Sequence, residues 1–481
     1  MSTGKTCSSQ FAICNLLIFY RLIALALLLL TTQTVAYGKE RIDLLVSGGT
    51  VVTMDGEHRV LEGGAIAVRA ERIAAVGPAA ELARKYQAAR RIDASGKIVL
   101  PGLINTHNHA PMTLMRGLAD DMALTDWLQK FIFPAEAKNV TREFVEAGTA
   151  LACLEMIRSG TTTYADMYYF EDQVAEVTER AGMRAVPGET IIQFPAPDNK
   201  TPEQALAYTE SFIRRWKGNA LIVPAVAPHA PYTNSAETLK ACKALADRFG
   251  VPMTIHVSET QDEVRQIREK YGLTSTQWLD QLGVLGPGVF INHGVWLTDD
   301  DLAIIKRRGA AVTHNPESNM KLASGTAPVV RMLALGIPVG LGTDGAASNN
   351  DLDMFEAMDF AAKLHKLISM NPAALPAATV VEMATLGGAR ALGLANEVGS
   401  LEAGKRADMI VVNAAEAHAQ PLYNIYSQLV YSLKGADVTT SIINGKVVML
   451  DRRVLTLDEK RILDKAREMK GRILASLASG S

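Results

Sequence analysis

The sequence predicts an α/β protein that folds as a (β/α)8 barrel of the TIM type, with a small β-sandwich built from both flanks of the barrel. Residues 101–400 alternate short apolar runs with amphipathic segments of helical period, which is typical of a closed parallel barrel. Residues 41–100 and 401–455 carry short β-like segments separated by turns. Polar residues follow several apolar runs within 101–400, at the strand ends where barrels keep their functional groups.

The elements follow one another along the chain. In the first flank we expect strands at 44–46, 50–52, 65–68 and 72–76, and a buried strand over 98–104 then leads to the barrel mouth. In the barrel we expect strands at 220–227, 251–257, 289–292, 311–313 and 339–342, with helices at 235–249 and 261–271. The second flank supplies strands at 408–412 and 441–448, and residues 456–481 form a carboxy-terminal helix.

The first 36 residues are predicted to lie outside this fold. A basic start at Lys5 and an apolar run over residues 22–30 precede Thr34-Val35-Ala36, which resembles a cleavage site. We expect a signal peptide and export to the periplasm. A retained anchor with membrane attachment through this segment is one alternative, and a misplaced start codon in a cytoplasmic protein is the other.

Composition narrows the classes of function. The chain has 481 residues, 48% of them hydrophobic, and a formal net charge of −2, so it can bury a large core. No basic stripe indicates nucleic acid as a partner. The four cysteines form no CxxC pair, and we expect Cys153 and Cys242 to be buried, inert thiols. A homo-oligomer is compatible with this composition.

His107-Asn108-His109 is the most informative motif, because it follows the apolar run 98–104. Residues two apart on a strand point to the same side, so both imidazoles project from the end of one strand. Two neutral nitrogen ligands can then hold one metal ion.

Further polar residues follow other predicted strands. His229, His256, His293 and Asp344 each come at or just after an apolar run, and Glu259 follows His256 by three residues. A single buried histidine is usually a satisfied core residue, but a buried charge is costly unless it is paired or bound to metal. So many polar groups at one barrel mouth therefore predict a metal site.

With these residues in place, the chain resembles the amidohydrolase superfamily over about residues 41–450. Within that superfamily it most resembles the 5-methylthioadenosine/S-adenosylhomocysteine deaminases, whose pattern is shared in part by chlorohydrolases and by guanine or cytosine deaminases. The resemblance rests on 101–109, His256, His293 and Thr343-Asp344, and for the subfamily on 112–117, 126–128, 155–163, 166–168, 227–232 and 314–319.

The resemblance implies four metal ligands: His107, His109, His256 and Asp344. Such a set leaves an open position for water, as catalytic zinc requires, and iron would suit the same ligands. Relatives with two metals bridge them with a carbamylated lysine at a middle strand, and no lysine stands at a matching strand end here. We therefore expect one Zn²⁺ per chain, with Fe²⁺ as the alternative.

The resemblance also implies catalytic and substrate-binding roles. Glu259 would move protons, although helix capping is the structural alternative, and His293 and Asp344 would orient and deprotonate the water. Glu136 would hold the ribose hydroxyls, His229 would contact the nucleoside, and Glu259 and Asp344 would also face the substrate. His314 is a separate case, because it ends another apolar run, and from that position alone we expect it to shape the site or bind substrate. The arginine that some relatives carry after the third strand is absent from 188–193.

Three interpretations remain open from the sequence. The first is a hydrolase acting on the C–N bond of a cyclic amidine, which converts 5′-methylthioadenosine, S-adenosylhomocysteine or adenosine to the inosine analogue and ammonia. The second is another member of the superfamily: a guanine or cytosine deaminase, a triazine-type chlorohydrolase or a cyclic amide hydrolase. The third is a non-catalytic protein that binds metal or a ligand.

Overall fold

The computed structural model describes residues 19–21 and 39–478. The predicted signal peptide or anchor, residues 1–36, lies outside the described residues except for 19–21. None of the helices in the described part of the chain combines the length and the apolar character that a membrane-spanning helix needs.

The first flank forms five strands. Strand β1 pairs with β2 in the antiparallel sense and with both β4 and β5 in the parallel sense, and β3 continues the sheet beyond β2. The strands are β1 (Glu40–Val52), β2 (Val60–Arg69), β3 (Arg72–Pro78), β4 (Tyr86–Asp93) and β5 (Lys97–Pro101).

Eight parallel strands then form the predicted barrel. They pair in sequence order, and at the seam between the last strand and the first the backbone N–H of Asp344 donates to the carbonyl of His107 at 3.0 Å. The strands are β6 (Leu103–Asn108), β7 (Thr161–Tyr168), β8 (Arg184–Ile191), β9 (Ala225–Pro228), β10 (Met253–Val257), β11 (Val289–His293), β12 (Ala311–His314) and β13 (Val339–Leu341).

The second flank completes the first sheet. Strand β14 pairs antiparallel with β5, so both flanks of the barrel join one nine-stranded sheet. The remaining strands are β14 (Met409–Asn413), β15 (Val438–Ile443), β16 (Lys446–Leu450) and β17 (Arg453–Val454).

The α-helices connect and cover the barrel strands. Helices after β9, β10 and β11 begin at Ser235, Thr260 and Thr298, whose hydroxyl oxygens accept a backbone N–H three residues later. The helices are Ala79–Lys85, Leu124–Asp126, Phe133–Asn139, Arg142–Ser159, Glu171–Ala181, Pro202–Trp216, Ala236–Phe249, Gln261–Tyr271, Ser275–Gln281, Asp299–Arg308, Pro316–Lys321, Val329–Ala334, Met354–Ile368, Ala377–Met383, Leu386–Ala391, Ile425–Ser427 and Glu459–Ala478.

The sequence predicts one strand over the apolar run 98–104, and this prediction is wrong. The run divides at Gly102 into β5 of the flanking sheet and β6 of the barrel. A Cβ at Gly102 would overlap the side chain of Thr162, so the chain passes between the two sheets only where there is no side chain. The predicted strand at 220–227 is also shorter, because only Ala225–Pro228 is regular.

The end of the barrel opposite the polar residues is filled by apolar side chains. One buried cluster joins barrel strands to the helix Leu386–Ala391, mostly through residues in the amino-terminal halves of those strands. It includes Ile104, Ala165, Val186, Ala225, Phe290 and Ala311. The strands are thereby fixed at one end, and their carboxyl ends are free to carry functional groups.

Gly102→Ala should lower the free energy of unfolding by about 1–3 kcal/mol, because the added methyl group has no room beside Thr162. Urea unfolding followed by circular dichroism measures the loss. Gly56→Ala is the matched control, since a Cβ there meets nothing within 4 Å. Equal stability of the two variants would contradict the close approach of the chain to Thr162.

Candidate active site

Four imidazoles and one carboxylate converge at the carboxyl ends of the barrel strands. His107 Nε2 and His109 Nε2 lie 3.3 Å and 3.2 Å from Asp344 Oδ1. Ligand atoms of His107, His109 and His256 lie within 4.8 Å of one another, as do those of His107, His293 and Asp344. The barrel thus brings together residues that are up to 237 positions apart.

Backbone carbonyls orient two of these imidazoles. His109 Nδ1 lies 2.5 Å from the carbonyl oxygen of Met167, and His256 Nδ1 lies 2.7 Å from that of His229. A carbonyl oxygen only accepts, so Nδ1 carries a hydrogen in both rings, and Nε2 is the nitrogen left to bind a metal ion. Metal-ligating histidines are held in this way.

His107 provides the clearest indication that these residues fit a metal. Its Nε2 is buried and makes no hydrogen bond within the described structure. A buried nitrogen that makes no hydrogen bond is costly unless a ligand occupies its lone pair. His107, His109, His256 and Asp344 can therefore hold a metal ion that prefers nitrogen and oxygen ligands.

The Asp344 carboxylate is fixed by three donors. Ser318 Oγ and Ser348 Oγ donate to Oδ2 at 2.6 Å and 3.0 Å, and the Gly345 N–H donates to Oδ1 at 2.8 Å. Burial alone would raise the pKa of Asp344, but His107 and His109 hold it well below its usual value. The carboxylate is therefore ionised in the neutral range.

Burial and the Asp344 carboxylate shift the pKa values of the histidines in opposite directions. Burial lowers the pKa of His107 to about 4 and that of His229 to about 3, and it lowers that of His256 well below the usual value. Burial also acts on His109, but the Asp344 carboxylate outweighs it and raises the pKa to about 9. His107, His229 and His256 are therefore neutral in the neutral range, whereas His109 carries a proton beside the Asp344 anion, a position that a cation can take.

His293 lies beside Asp344 and Glu259. Its Nδ1 lies 2.9 Å from Asn319 Oδ1, so the amide oxygen holds the hydrogen there, and its Nε2 lies 3.8 Å from Glu259 Oε2. The ring is therefore oriented towards the carboxylate that the sequence singled out.

Glu259 is buried and faces the pocket. Thr260 fills the helix-capping position, and the Glu263 carboxylate accepts the backbone N–H groups of Ser258 and Glu259 at 2.6 Å and 3.0 Å. The side chain of Glu259 takes no part in this cap. Burial raises its pKa well above the usual value, and the Asp344 carboxylate adds to the effect.

Three non-glycine residues at the strand ends have left-handed backbones: Ser258 (φ 53°), His293 (φ 70°) and Asp344 (φ 64°). Each such conformation costs about 1–3 kcal/mol and persists only where its surroundings impose it. Here the hydrogen bonds to the Ser258 backbone and to the side chains of His293 and Asp344 supply that constraint.

The pocket beside these residues contains Glu136 and His229. Tyr168 Oη donates to Glu136 Oε1 at 2.8 Å, and burial raises the pKa of Glu136 to about 7. His229 Nδ1 lies 3.1 Å from Thr233 Oγ1. The aromatic part of the lining consists of Trp127, Phe133, Tyr168, Tyr169 and Tyr232.

Two residues have contacts that the sequence does not predict. The first is Ser348, whose hydroxyl donates to Asp344 and whose one sequence signal is its place four residues after Asp344. His314 does not line the pocket and instead contacts His365, Nε2 to Nε2, at 3.2 Å.

The chain matches known families and proteins over most of its length. A model of the amidohydrolase family matches residues 98–448, and a model of an imidazolonepropionase-like composite domain of bacteria matches residues 64–86. The chain is 51% identical over 430 residues to a 5-methylthioadenosine/S-adenosylhomocysteine deaminase of Syntrophobacter fumaroxidans, covering 89% of this chain and 98% of the relative. It is 45% identical over 439 residues to a 5′-deoxyadenosine deaminase of Methanosarcina mazei, and the match covers 91% of this chain and 100% of that relative.

Solved structures agree with the architecture. An adenosine deaminase from Xanthomonas campestris with bound zinc is similar with a TM-score of 0.90 and 39% identity, covering 91% of this chain and all of that one. An atrazine chlorohydrolase from Arthrobacter aurescens TC1, complexed with zinc, has a TM-score of 0.83 at 23% identity, covering 89% of this chain and 100% of that one. The second likeness shows a shared fold.

Ser318→Ala should weaken metal binding at least about tenfold, because Asp344 loses the nearer of its two hydroxyl donors. Zinc retained after dialysis against a competing chelator measures the effect. Ser159→Ala is the control, since that buried serine donates to the carbonyl of Glu155, within its own helix. Unchanged zinc retention would mean that Ser348 and Gly345 suffice to hold Asp344.

Proposed function

The chain belongs to the amidohydrolase family, and from this premise we propose that it is a metal-dependent deaminase that converts adenosine analogues and water to inosine analogues and ammonia. The observation that carries the proposal is the position of Glu259. Its buried side chain lines the same pocket as three of the predicted metal ligands and the carboxylate of Glu136. The names of the relatives at 51% and 45% identity support the same activity.

The metal is proposed to be one zinc ion held by His107, His109, His256 and Asp344. The zinc in the Xanthomonas campestris structure supports this choice, and the nitrogen and carboxylate donors suit zinc. When bound, the ion supplies Lewis acidity, which makes water a nucleophile near neutral pH. Iron suits the same donors and remains the alternative.

Glu259 is proposed to be the residue that protonates the ring. Ammonia leaves an aminopurine only if the ring nitrogen beside the amino group takes up a proton, because the neighbouring carbon then becomes electrophilic. Burial and the Asp344 charge raise the pKa of Glu259, so its carboxyl group carries a proton that it can donate. Glu263 fixes the backbone at Glu259 and so aims the side chain.

Asp344 and His293 are proposed to handle the water. Asp344 is ionised and held by Ser318 and Ser348, so one of its oxygens can accept the proton that the attacking water loses. Asn319 fixes the ring of His293, which can then orient the same water through Nε2. The proton taken from the water can leave with the ammonia.

Glu136 and His229 are proposed to position the nucleoside. Tyr168 donates to one oxygen of Glu136, and the remaining acceptor capacity can take the hydroxyl groups of a ribose. Neutral His229 can hydrogen-bond the nucleoside. Contacts on the sugar, away from the reacting carbon, help to place the base for attack.

The pocket favours small apolar substituents at the 5′ position of the sugar. In the part of the chain that the structure describes, its lining includes no lysine or arginine. A zwitterionic amino-acid tail would find no cation for its carboxylate there, whereas Leu124, Leu128 and Phe133 suit a methylthio or methyl group. We therefore place 5′-methylthioadenosine and 5′-deoxyadenosine ahead of S-adenosylhomocysteine.

Glu259→Gln should reduce turnover of 5′-methylthioadenosine at least about 100-fold while the protein keeps its fold and about one zinc ion per chain. Ammonia release and elemental analysis measure the two properties. Glu269→Gln, an exposed glutamate on the helix Gln261–Tyr271, is the control. Near-normal turnover would move the proton-transfer role to another residue.

A substrate panel tests the nucleoside assignment. We expect deamination of 5′-methylthioadenosine, 5′-deoxyadenosine and adenosine to exceed that of free adenine, and Glu136→Ala to raise KM for nucleosides only. Glu146→Ala, an exposed glutamate, is the control. Faster turnover of free guanine, cytosine or a chlorotriazine would disprove the nucleoside assignment and leave the metal-dependent hydrolase in place.

Export is proposed for the intact protein because residues 1–36 have the pattern of a signal peptide. Mass spectrometry of the protein from its native cells should then find an amino terminus at or near Tyr37. An intact amino terminus on a membrane-associated protein would indicate the retained anchor, and an intact or shorter one on a cytosolic protein would rule out export.

A further inference from the structure

A second group of acidic side chains lies apart from the histidines and Asp344. Glu317 belongs to the helix Pro316–Lys321, Asp351 to the loop after β13, and Glu356 to the first turn of the helix Met354–Ile368. One carboxylate oxygen from each lies within 4.8 Å of one from both others. None of the three lines the nucleoside pocket.

Glu317 is the informative member of this group. The residue is only 7% exposed, and its Oε2 makes no hydrogen bond among the described residues. Burial raises the pKa of Glu317 well above its usual value, Asp351, Glu356 and Asp353 add to the effect, and a hydrogen bond from Asn349 offsets part of it. Burial likewise raises the pKa of Asp351 to about 7.

No basic side chain compensates these carboxylates. Within the described residues, no lysine or arginine nitrogen lies within 4.0 Å of Glu317, Asp351 or Glu356. The nearby cations are engaged elsewhere: Lys321 pairs with Asp120, and Arg116 pairs with Glu155. Like charges at such short separation need protons or a cation between them.

We propose that Glu317, Asp351 and Glu356 bind a hard divalent cation, Ca²⁺ or Mg²⁺, at a structural site distinct from the histidine site. Oxygen-only ligands suit these ions and not zinc. Glu356 is exposed and Asp351 is half-buried, so an ion can enter from solvent and keep water on that side. The buried carboxylate of Glu317 supplies the inner face of the site.

The position of this site gives it a role. Glu317 is followed directly by Ser318 and Asn319, which hold Asp344 and His293. The loop that carries Asp351 also carries Ser348, which holds the other side of Asp344. A cation between Glu317 and Asp351 therefore fastens together the two segments that position Asp344, and it should stabilise the geometry of the active site without touching substrate.

The test uses the full-length protein with its zinc retained, in buffer freed of other divalent ions. Calorimetric titration with CaCl₂ and separately with MgCl₂ should show one binding event, and millimolar amounts of the bound ion should raise the melting temperature. Elemental analysis before and after the titration confirms that zinc content is unchanged. No heat and no melting shift with either ion would overturn the proposal.

Variants locate the site. Glu317→Gln and Glu356→Gln should each weaken binding of the cation at least about tenfold, since each removes one charged ligand. Glu237→Gln, in the first turn of the helix Ala236–Phe249, is the matched control for Glu356→Gln and should bind as the wild type does. If Glu317→Gln proves unstable, Glu356→Gln decides alone, because Glu356 is exposed.

Two further outcomes would contradict the proposed site. Wild-type affinity in both Glu317→Gln and Glu356→Gln would place the ion elsewhere. A Glu317→Gln variant that gains stability in ion-free buffer, in a protein whose wild type shows no binding, would show that the carboxyl groups are simply protonated.

Discussion

The seam of the barrel is the constraint on which the site depends. The Asp344 N–H donates to the His107 carbonyl, so closure of the barrel between β13 and β6 places the two residues side by side. Their side chains then meet at 3.3 Å, although 237 residues separate them in the sequence. A barrel that did not close would separate Asp344 from the histidines, and no carboxylate would then lie beside the imidazoles of His107 and His109.

Local sequence signals predict some of the helices and strands of this fold and miss others. The helix Gln261–Tyr271 was predicted with its bounds, because Thr260 caps it and a left-handed glycine ends it. Strand β4 and the helix Ala79–Lys85 were missed, since β4 is mostly exposed and its polar residues give no alternating pattern. The division at Gly102 was missed because β5 and β6 are both buried and read as one apolar run.

The same distinction holds within the site. The sequence could place one set of residues together because each comes at or just after the carboxyl end of a strand, and parallel strands end at one mouth of the barrel. These residues are His107, His109, His229, His256, His293 and Asp344. The groups that aim them could not be predicted in this way. They are backbone carbonyls of Met167 and His229 and the hydroxyl of Ser348, whose roles depend on where the chain passes in space.

Neighbouring charges and hydrogen bonds explain why Asp344 and Glu259, two carboxyl groups in one pocket, differ in protonation state. Asp344 accepts three hydrogen bonds and lies beside His107 and His109, so its pKa is low and it stays ionised. Glu259 is equally buried, but its nearest histidine, His293, has a pKa lowered by burial, and the Asp344 charge adds to the cost of ionising it. Groups whose surroundings push their pKa values apart can act as an acid and a base at the same pH. Asp344 and Glu259 therefore differ in protonation state in the way that the proposed hydrolytic deamination requires, with one group able to accept a proton and the other able to donate one.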